Sequence, residues 1–152
     1  MTCTEVTAEP LTLREVHVVI AVDDEPAVLA SLKRLLRREP YTLLTTQDPG
    51  QVLAWVSNQD VSLVICDQRM PKMLGTELLE AVAERSPTTA RVLFTGFPGS
   101  TVLLRGMKEG LQLLLYKPWN NEALRRMIRF ILHEREMRRM TRGDRLNQGE
   151  PQ

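Results

Sequence analysis

Five polar residues stand at the ends of apolar runs in this sequence, and the three carboxylates among them could hold a divalent cation. They are Asp23, Asp24, Asp67, Thr95 and Lys117. Three carboxylates that converge on one place repel each other and raise their own pKa values unless a cation lies among them. Magnesium suits such a place because it prefers oxygen ligands, keeps several waters and needs only one or two carboxylates from the protein.

These residues can meet only if the runs before them are neighbouring strands of one sheet. Strands are predicted over 17–22, 42–46, 62–66, 91–95 and 112–116. Three of the runs are almost continuous in Val, Ile and Leu. Such continuity is typical of parallel strands that helices cover on both faces.

Helical patterns separate the predicted strands. Helices are predicted over 26–38, 49–58, 76–84 and 100–109, and a fifth, unusually long one begins after Asn120 or Asn121. Asp48 is the expected N-cap of the second helix. The alternation predicts a doubly wound α/β fold, flavodoxin-like (βα)5, whose five-stranded parallel sheet has the strand order 2-1-3-4-5. Ligands of such sheets bind where the winding direction changes, here beyond the first and third strands.

Four short stretches match, in order and spacing, the pattern of a known family. They are Val-Asp-Asp-Glu at 22–25, Ile-Cys-Asp-Gln-Arg-Met-Pro at 65–71, Leu-Phe-Thr-Gly at 93–96 and Tyr-Lys-Pro-Trp at 116–119. The chain thereby resembles the CheY-like receiver domains of two-component response regulators. The resemblance implies a switch in phosphorelay signal transduction rather than an enzyme, phosphorylated by a sensor histidine kinase or a histidine phosphotransfer protein.

The resemblance also implies roles for the acidic residues. Asp67 would be the phosphoacceptor. Asp24, Asp67 and the backbone carbonyl of Arg69 would ligate Mg²⁺, while Asp23 would act through a bound water. Together with Lys117, the ion would neutralise charge on the transferring group, because phosphoryl transfer depends mainly on positioning and electrostatics.

Three further residues would contact the phosphoryl group or position its contacts. The resemblance implies that Thr95 donates its hydroxyl to a phosphoryl oxygen and that Gly96 leaves space for the group. A cis peptide bond before Pro118 would direct Lys117 to the site.

One position departs from the family pattern. Receiver domains usually carry Tyr or Phe three residues before the lysine, as an aromatic switch, and this chain has Leu114 there. Tyr116 lies on the same side of the strand and is a possible substitute. A plain packing role for Tyr116 is the favoured alternative.

The resemblance divides the chain into three parts. These are a flexible amino-terminal arm at 1–16, the receiver domain at 17–133, and a charged helical extension and tail at 134–152. A solvated helix end is favoured for the extension, with a docking or coiled-coil segment as the alternative. The signal is expected to leave through the fourth helix, fifth strand and fifth helix, a face that could also form a homodimer.

Composition limits the partners and the location. The formal net charge is +1, from 20 basic and 19 acidic residues, so no overall field attracts nucleic acid or a membrane surface. The apolar runs are far shorter than the ~20 residues of a membrane span, and 1–16 lack the core of a signal peptide. A soluble, cytoplasmic protein is expected. Cys3 and Cys66 have no partnered spacing, and Cys66 is expected in the core.

Two alternative functions stay open. A phosphorylation-independent protein-interaction module could have the same fold, because fold does not fix function. A magnesium-dependent phosphatase of the haloacid-dehalogenase type would also use an aspartate at a strand end, but it needs a second acid two residues later. Arg69 occupies that position after Asp67. A dinucleotide-binding domain is disfavoured, because no glycine-rich motif follows the first strand.

Overall fold

A five-stranded parallel sheet forms the centre of the molecule, with the strand order β2-β1-β3-β4-β5. The computed structural model describes residues 12–95, 111–116 and 119–147, with the backbone alone at 95, 111–116 and 144–147. The strands are β1 (Val18–Val22), β2 (Thr42–Thr46), β3 (Leu63–Asp67), β4 (Ala90–Thr95) and β5 (Leu111–Tyr116). The predicted fold and strand order are confirmed, and each strand begins and ends within one residue of its prediction.

Four helices accompany the strands in the described ranges. They are α1 (Pro26–Leu36), α2 (Pro49–Asn58), α3 (Gly75–Arg85) and α4 (Asn121–Asn147). The last of these is the fifth predicted helix, since the helix predicted over 100–109 lies outside the described residues. None of the described helices is both long and apolar enough to span a bilayer.

The core consists of two clusters, one on each face of the sheet. Successive strand residues point to opposite faces, so a strand that helices cover on both sides must be apolar throughout. All five residues of β3 are buried. Leu32 of α1 and Ile128 of α4 pack on one face, while Val52 of α2 and Leu78 of α3 pack on the other. Cys66 is buried in the second cluster, as predicted.

Two helix starts are defined by close local contacts. The Asp48 carboxylate accepts a hydrogen bond of 3.0 Å from the Gly50 amide, which confirms Asp48 as the N-cap of α2. At the start of α3, the Gly75 amide donates to the Gln68 carbonyl at 2.9 Å. A Cβ at Gly75 would overlap the carbonyl oxygen of Asp67 and lie 2.9 Å from Leu93 Cδ1. The end of β3 and the start of α3 therefore touch through their backbones.

Substitution of Gly75 by alanine tests this contact. We expect Gly75→Ala to lower the free energy of unfolding by about 1–3 kcal/mol, because the backbone of Asp67 cannot move aside without disturbing β3. Gly143→Ala is the matched control, since a Cβ there meets nothing within 4 Å. The control should be neutral or stabilising by up to about 1 kcal/mol, because alanine favours a helix. Equal urea-unfolding midpoints for the two variants would contradict the prediction.

The extension of α4 corrects the prediction of a solvated helix end. Arg135 is 7% exposed and Glu136 is 1% exposed. The Glu136 carboxylate accepts hydrogen bonds of 2.9 Å from the backbone amides of Arg14 and Glu15, and its Oε1 lies 2.8 Å from His17 Nε2. A carboxylate that is buried and bonded in this way fixes the helix against residues 14–17.

A second set of contacts joins the extension to the segment before β3. Arg135 donates to the Asp60 carboxylate at 2.8 Å and to Ser62 Oγ at 3.3 Å. Arg139 donates to the other Asp60 oxygen at 2.9 Å and to the Glu15 carboxylate at 3.2 Å. The first part of the extension thus packs against the amino-terminal ends of β1 and β3. The predicted domain boundaries at 16/17 and 133/134 stay predictions.

The Glu136 contacts predict a dependence of stability on pH. Burial raises the pKa of Glu136, but hydrogen bonds from the Glu15 amide, His17 and the Arg14 amide outweigh it, so this pKa lies below its ordinary value. The stabilisation is therefore present above the unfolded-state pKa of about 4.3, and it is lost as the pH falls through the lower folded-state value. We expect Glu136→Gln to cost about 3 kcal/mol at pH 7.

Urea unfolding of the wild type and Glu136→Gln at pH 7 and at lower pH measures this dependence. The difference between the two proteins should begin to shrink below pH ~4.3, where the unfolded chain takes up the proton first, and should be lost once the folded carboxylate is protonated as well. Glu84→Gln is the control, because Glu84 is exposed and should show no such difference. A wild-type advantage that stays constant down to pH 3 would show that the charge of Glu136 is not what stabilises the fold.

Candidate phosphoacceptor and cation site

The carboxyl ends of β1 and β3 bring two aspartates together. In the parallel register Val22 pairs with Cys66, so Asp23 and Asp67 follow side by side on adjacent strands, which lie about 4.8 Å apart. Asp23 is 2% exposed and Asp67 is 8% exposed. The edge where the winding direction changes therefore carries two largely buried carboxyl groups.

Three consecutive acidic residues beyond β1 bring their carboxylates close together. The carboxylates of Asp23, Asp24 and Glu25 each offer an oxygen, and these oxygens lie within 4.8 Å of one another. Asp23 is held in place because its Oδ1 accepts a 2.9 Å hydrogen bond from the Glu25 amide. Several carboxylate oxygens around one point are the donor set that a hard cation such as Mg²⁺ prefers. The residues present therefore fit the predicted ion.

Gln68 closes the loop that follows the candidate phosphoacceptor. Its amide donates to the Phe94 carbonyl at 3.1 Å and its carbonyl accepts from Gly75 at 2.9 Å. Its side-chain oxygen accepts from the Thr76 amide at 3.0 Å. These bonds fix both ends of the segment that contains Arg69, whose side chain is exposed and whose carbonyl is a predicted ligand. Sequence reasoning missed Gln68, because a single glutamine after a strand gives no signal of such a role.

A recess opens beside the acidic residues. It has a volume of about 320 Å³ and lies between Asp24, the start of α2 and the loop after β3. Met70, Pro71 and Lys72 line it from the side of that loop. Lys72 Nζ lies 3.7 Å from the Asp48 carboxylate across the recess. Water and a small anion can therefore approach Asp24 from this side.

The phosphoryl-contacting residues are only partly described. Thr95 and Tyr116 end their strands as register partners, and the structure describes their backbones alone. Gly96, Lys117 and Pro118 lie outside the described residues, and so do the predicted lysine contact and cis peptide bond.

Trp119 is a structural residue that sequence reasoning did not assign to the fold. Its ring stacks on Phe94 of β4 with a centroid separation of 5.4 Å and an interplanar angle of 26°. Offset aromatic pairs of this kind add stability beyond their buried area. The chain is thus anchored to the core one residue after Pro118, and the aromatic residue after Lys-Pro was the available signal.

Comparisons with known proteins agree with this geometry. Residues 19–129 match the family described as response regulator receiver domain. The hydrogenase transcriptional regulatory protein HoxA of Cupriavidus necator is 36% identical over 102 residues, which cover 66% of this chain and 21% of that protein. The chain therefore spans about a fifth of the length of this relative.

Two solved structures share the fold and part of the sequence. The signal receiver domain of an HD domain-containing protein from Pseudomonas fluorescens Pf-5 is 30% identical with a TM-score of 0.77, covering 85% of this chain and 96% of that one. The beryllofluoride-activated NtrC4 receiver domain dimer is 25% identical with a TM-score of 0.71, covering 78% and 98%. With most of its sheet, core and acidic edge inside the matched residues, the chain belongs to the response regulator receiver domain family.

Proposed function

We propose that this receiver domain accepts a phosphoryl group on Asp67 with the help of Mg²⁺ bound at the acidic edge. The observation that carries the proposal is the β1–β3 register, which sets Asp67 beside the group formed by Asp23, Asp24 and Glu25. Asp24, Asp67 and the Arg69 carbonyl are the proposed direct ligands, and Asp23 acts through water. Such an ion, when bound, supplies positive charge that offsets the charge of the transferring group.

The proposed transfer is a substitution at phosphorus. A carboxylate oxygen of Asp67 attacks the phosphorus of a phosphohistidine, an O–P bond forms, and the N–P bond breaks with its electron pair left on the histidine nitrogen. The product is an acyl phosphate on Asp67 and a histidine that takes up a proton. Because Asp67 is only 8% exposed, the phosphoryl group must enter from the loop side, which favours one line of attack.

The surrounding residues position the acceptor. The hydrogen bond from the Glu25 amide orients Asp23, and the bonds of Gln68 hold the loop after Asp67 at both ends. Thr95 and Gly96 are proposed to bind the transferred group and Lys117 to neutralise it, as predicted from the sequence. Tyr116 is proposed to pack rather than to act as an aromatic switch.

Partners follow from the same proposal. A sensor histidine kinase or a histidine phosphotransfer protein would supply the phosphoryl group, in the cytoplasm. A homodimer could form through α4 and β5, since NtrC4, a similar receiver domain, forms a dimer when activated by beryllofluoride. On α4, Phe130 and Met140 leave apolar surface exposed, with exposed fractions of 56% and 45%.

Phosphorylation by a small donor tests the acceptor. We expect acetyl phosphate in the presence of Mg²⁺ to add one phosphoryl group to the wild type, because the receiver domain supplies its own transfer site. Asp67→Asn should abolish the addition. Asp48→Asn is the matched control, since asparagine also caps helices and Asp48 lies near the edge without belonging to it. Undiminished incorporation in Asp67→Asn, measured by intact-protein mass spectrometry, would place the acceptor elsewhere.

Magnesium affinity tests the ligand set. We expect Asp24→Asn to weaken Mg²⁺ binding by about tenfold or more, because a neutral amide replaces a proposed direct ligand. Isothermal titration calorimetry of the unphosphorylated proteins gives the affinity. Glu84→Gln, an exposed change of equal charge on α3, should leave the affinity within about twofold of wild type. Unchanged binding by Asp24→Asn would remove Asp24 from the ligand set.

A further inference from the structure

A second pocket lies at the end of the sheet opposite to Asp67. It has a volume of about 510 Å³ and lies between the turn after α3, the start of β4 and the outer half of α4. Pockets of a few hundred Å³ commonly hold small molecules. Because Asp67 ends β3 at the carboxyl edge and this pocket surrounds the amino-terminal end of β4, the two places are separated by the length of the strands.

The pocket lining carries a large excess of positive charge. Its charged residues in the described part of the chain are Arg91, Glu134, Arg135, Arg138, Arg139 and Arg142. The lining thus contains five arginines and one glutamate, and Asp60 and Glu15 outside the lining offset the charge of Arg135 and Arg139. Guanidinium groups stay charged in proteins, so their charge must be offset by carboxylates, water or a bound anion.

Two of the arginines are buried at the base of the pocket. Arg91 is 5% exposed and donates to the Leu79 carbonyl at 3.1 Å, and Arg135 is 7% exposed. Burial lowers the pKa of Arg91, although the Glu80 carboxylate opposes this effect. Both buried arginines therefore already have partners within the protein.

The arginines of the pocket differ in how many of their donors already have partners. Arg139 holds the carboxylates of Asp60 and Glu15, and Arg135 holds Asp60, so these two have structural partners. Arg138 and Arg142 are exposed and, among the described residues, neither forms an ion pair. They lie four residues apart on α4, so their side chains project from the same face about 6 Å from each other. Two adjacent guanidinium forks are thus available to a ligand.

We propose that this pocket binds a phosphate-bearing small molecule, with Arg138 and Arg142 as its principal contacts. The planar guanidinium group matches the oxygens of a phosphate bidentately, and a pair of them suits a group that carries two negative charges. Thr88 also lines the pocket and is exposed, so its hydroxyl can donate to a further oxygen. Ala83, Pro87 and Ile131 provide an apolar wall for the rest of the molecule.

A recessed small-molecule site is favoured over a nucleic-acid surface. Proteins that bind nucleic acid present a continuous basic stripe to the phosphate backbone. Here Arg91 and Arg135 are buried inside a pocket, where an extended backbone cannot reach them. A phosphate group on a compact molecule can enter the pocket and meet Arg138 and Arg142, which are exposed.

Because of the position of the pocket, a bound ligand would stabilise the contact between the turn after α3 and α4. The bound molecule would contact the turn after α3 and the extension of α4 at the same time. A ligand that binds only when both elements are in place stabilises their association, and the stabilising free energy grows with the ligand concentration. The site is independent of phosphorylation at Asp67, because its residues belong to the other end of the sheet.

Titration calorimetry with the full chain tests the proposal, with EDTA present to exclude metal-dependent binding at the acidic edge. Inorganic pyrophosphate and ATP are the probes. Similar affinities would identify the phosphate groups alone as the ligand chemistry, and tighter binding of ATP would identify a nucleotide. We expect the double variant Arg138→Gln and Arg142→Gln to weaken binding by at least about tenfold. Glu134→Gln should strengthen binding, because it removes a carboxylate from the lining.

Two controls separate a specific site from general attraction and from Asp67. Arg37→Gln with Arg38→Gln removes two exposed positive charges at the end of α1 and should change the affinity by less than about twofold. Asp67→Asn should leave binding unchanged, even if it abolishes phosphorylation. The proposal is overturned if the wild type binds neither probe or if both double variants lose affinity equally. It is also overturned if Asp67→Asn abolishes binding, or if DNA or an acidic peptide binds through these arginines while pyrophosphate and ATP do not.

Discussion

The parallel pairing of β1 with β3 is the constraint on which the candidate site depends. Because the register sets Val22 opposite Cys66, the aspartates that follow these residues cannot lie apart. The pairing is stable because both strands are buried between two helical layers, where an unpaired backbone amide would be costly. Two carboxyl groups are therefore held close together at this edge, and a bound cation would offset the repulsion between their charges. The packing of the core thus stabilises a sheet edge at which two carboxyl groups lie close together.

The opposite end of the same sheet is held by a different kind of interaction. There the Glu136 carboxylate accepts hydrogen bonds from the backbone of residues 14 and 15 and lies against His17. A buried carboxylate is costly unless such donors surround it, so the contacts fix the direction in which α4 leaves the sheet. Any chain that continues from α4 inherits this direction. The carboxyl edge carries the candidate site, whereas the contacts at the amino edge set the direction of α4.

The sequence predicted the sheet well because apolar runs covered on both faces have few alternative interpretations. It also predicted the place of Asp23 and Asp24, since these residues directly follow a strand. It could not predict the burial of Glu136, whose partners are backbone amides more than a hundred residues away and leave no pattern in the side chains. Gln68 was missed for the same reason, because it acts mainly through backbone groups. The roles assigned to Thr95 and Lys117 still rest on the sequence resemblance.

Helix α3 connects the two ends of the sheet through contacts at each of its turns. Its first residue, Gly75, lies against the carbonyl of Asp67, and in its middle the Leu79 carbonyl accepts from Arg91. Near its end, Ala83 lines the arginine pocket. The helix has 11 residues and is therefore about 16 Å long. Because Gly75 leaves no space beside Asp67, a displacement of the phosphoacceptor loop must move the start of α3. The far half of α3 has separate contacts, through Leu79 with Arg91 and through Ala83 with the pocket wall, so each end of the sheet is held by its own local contacts of the same helix.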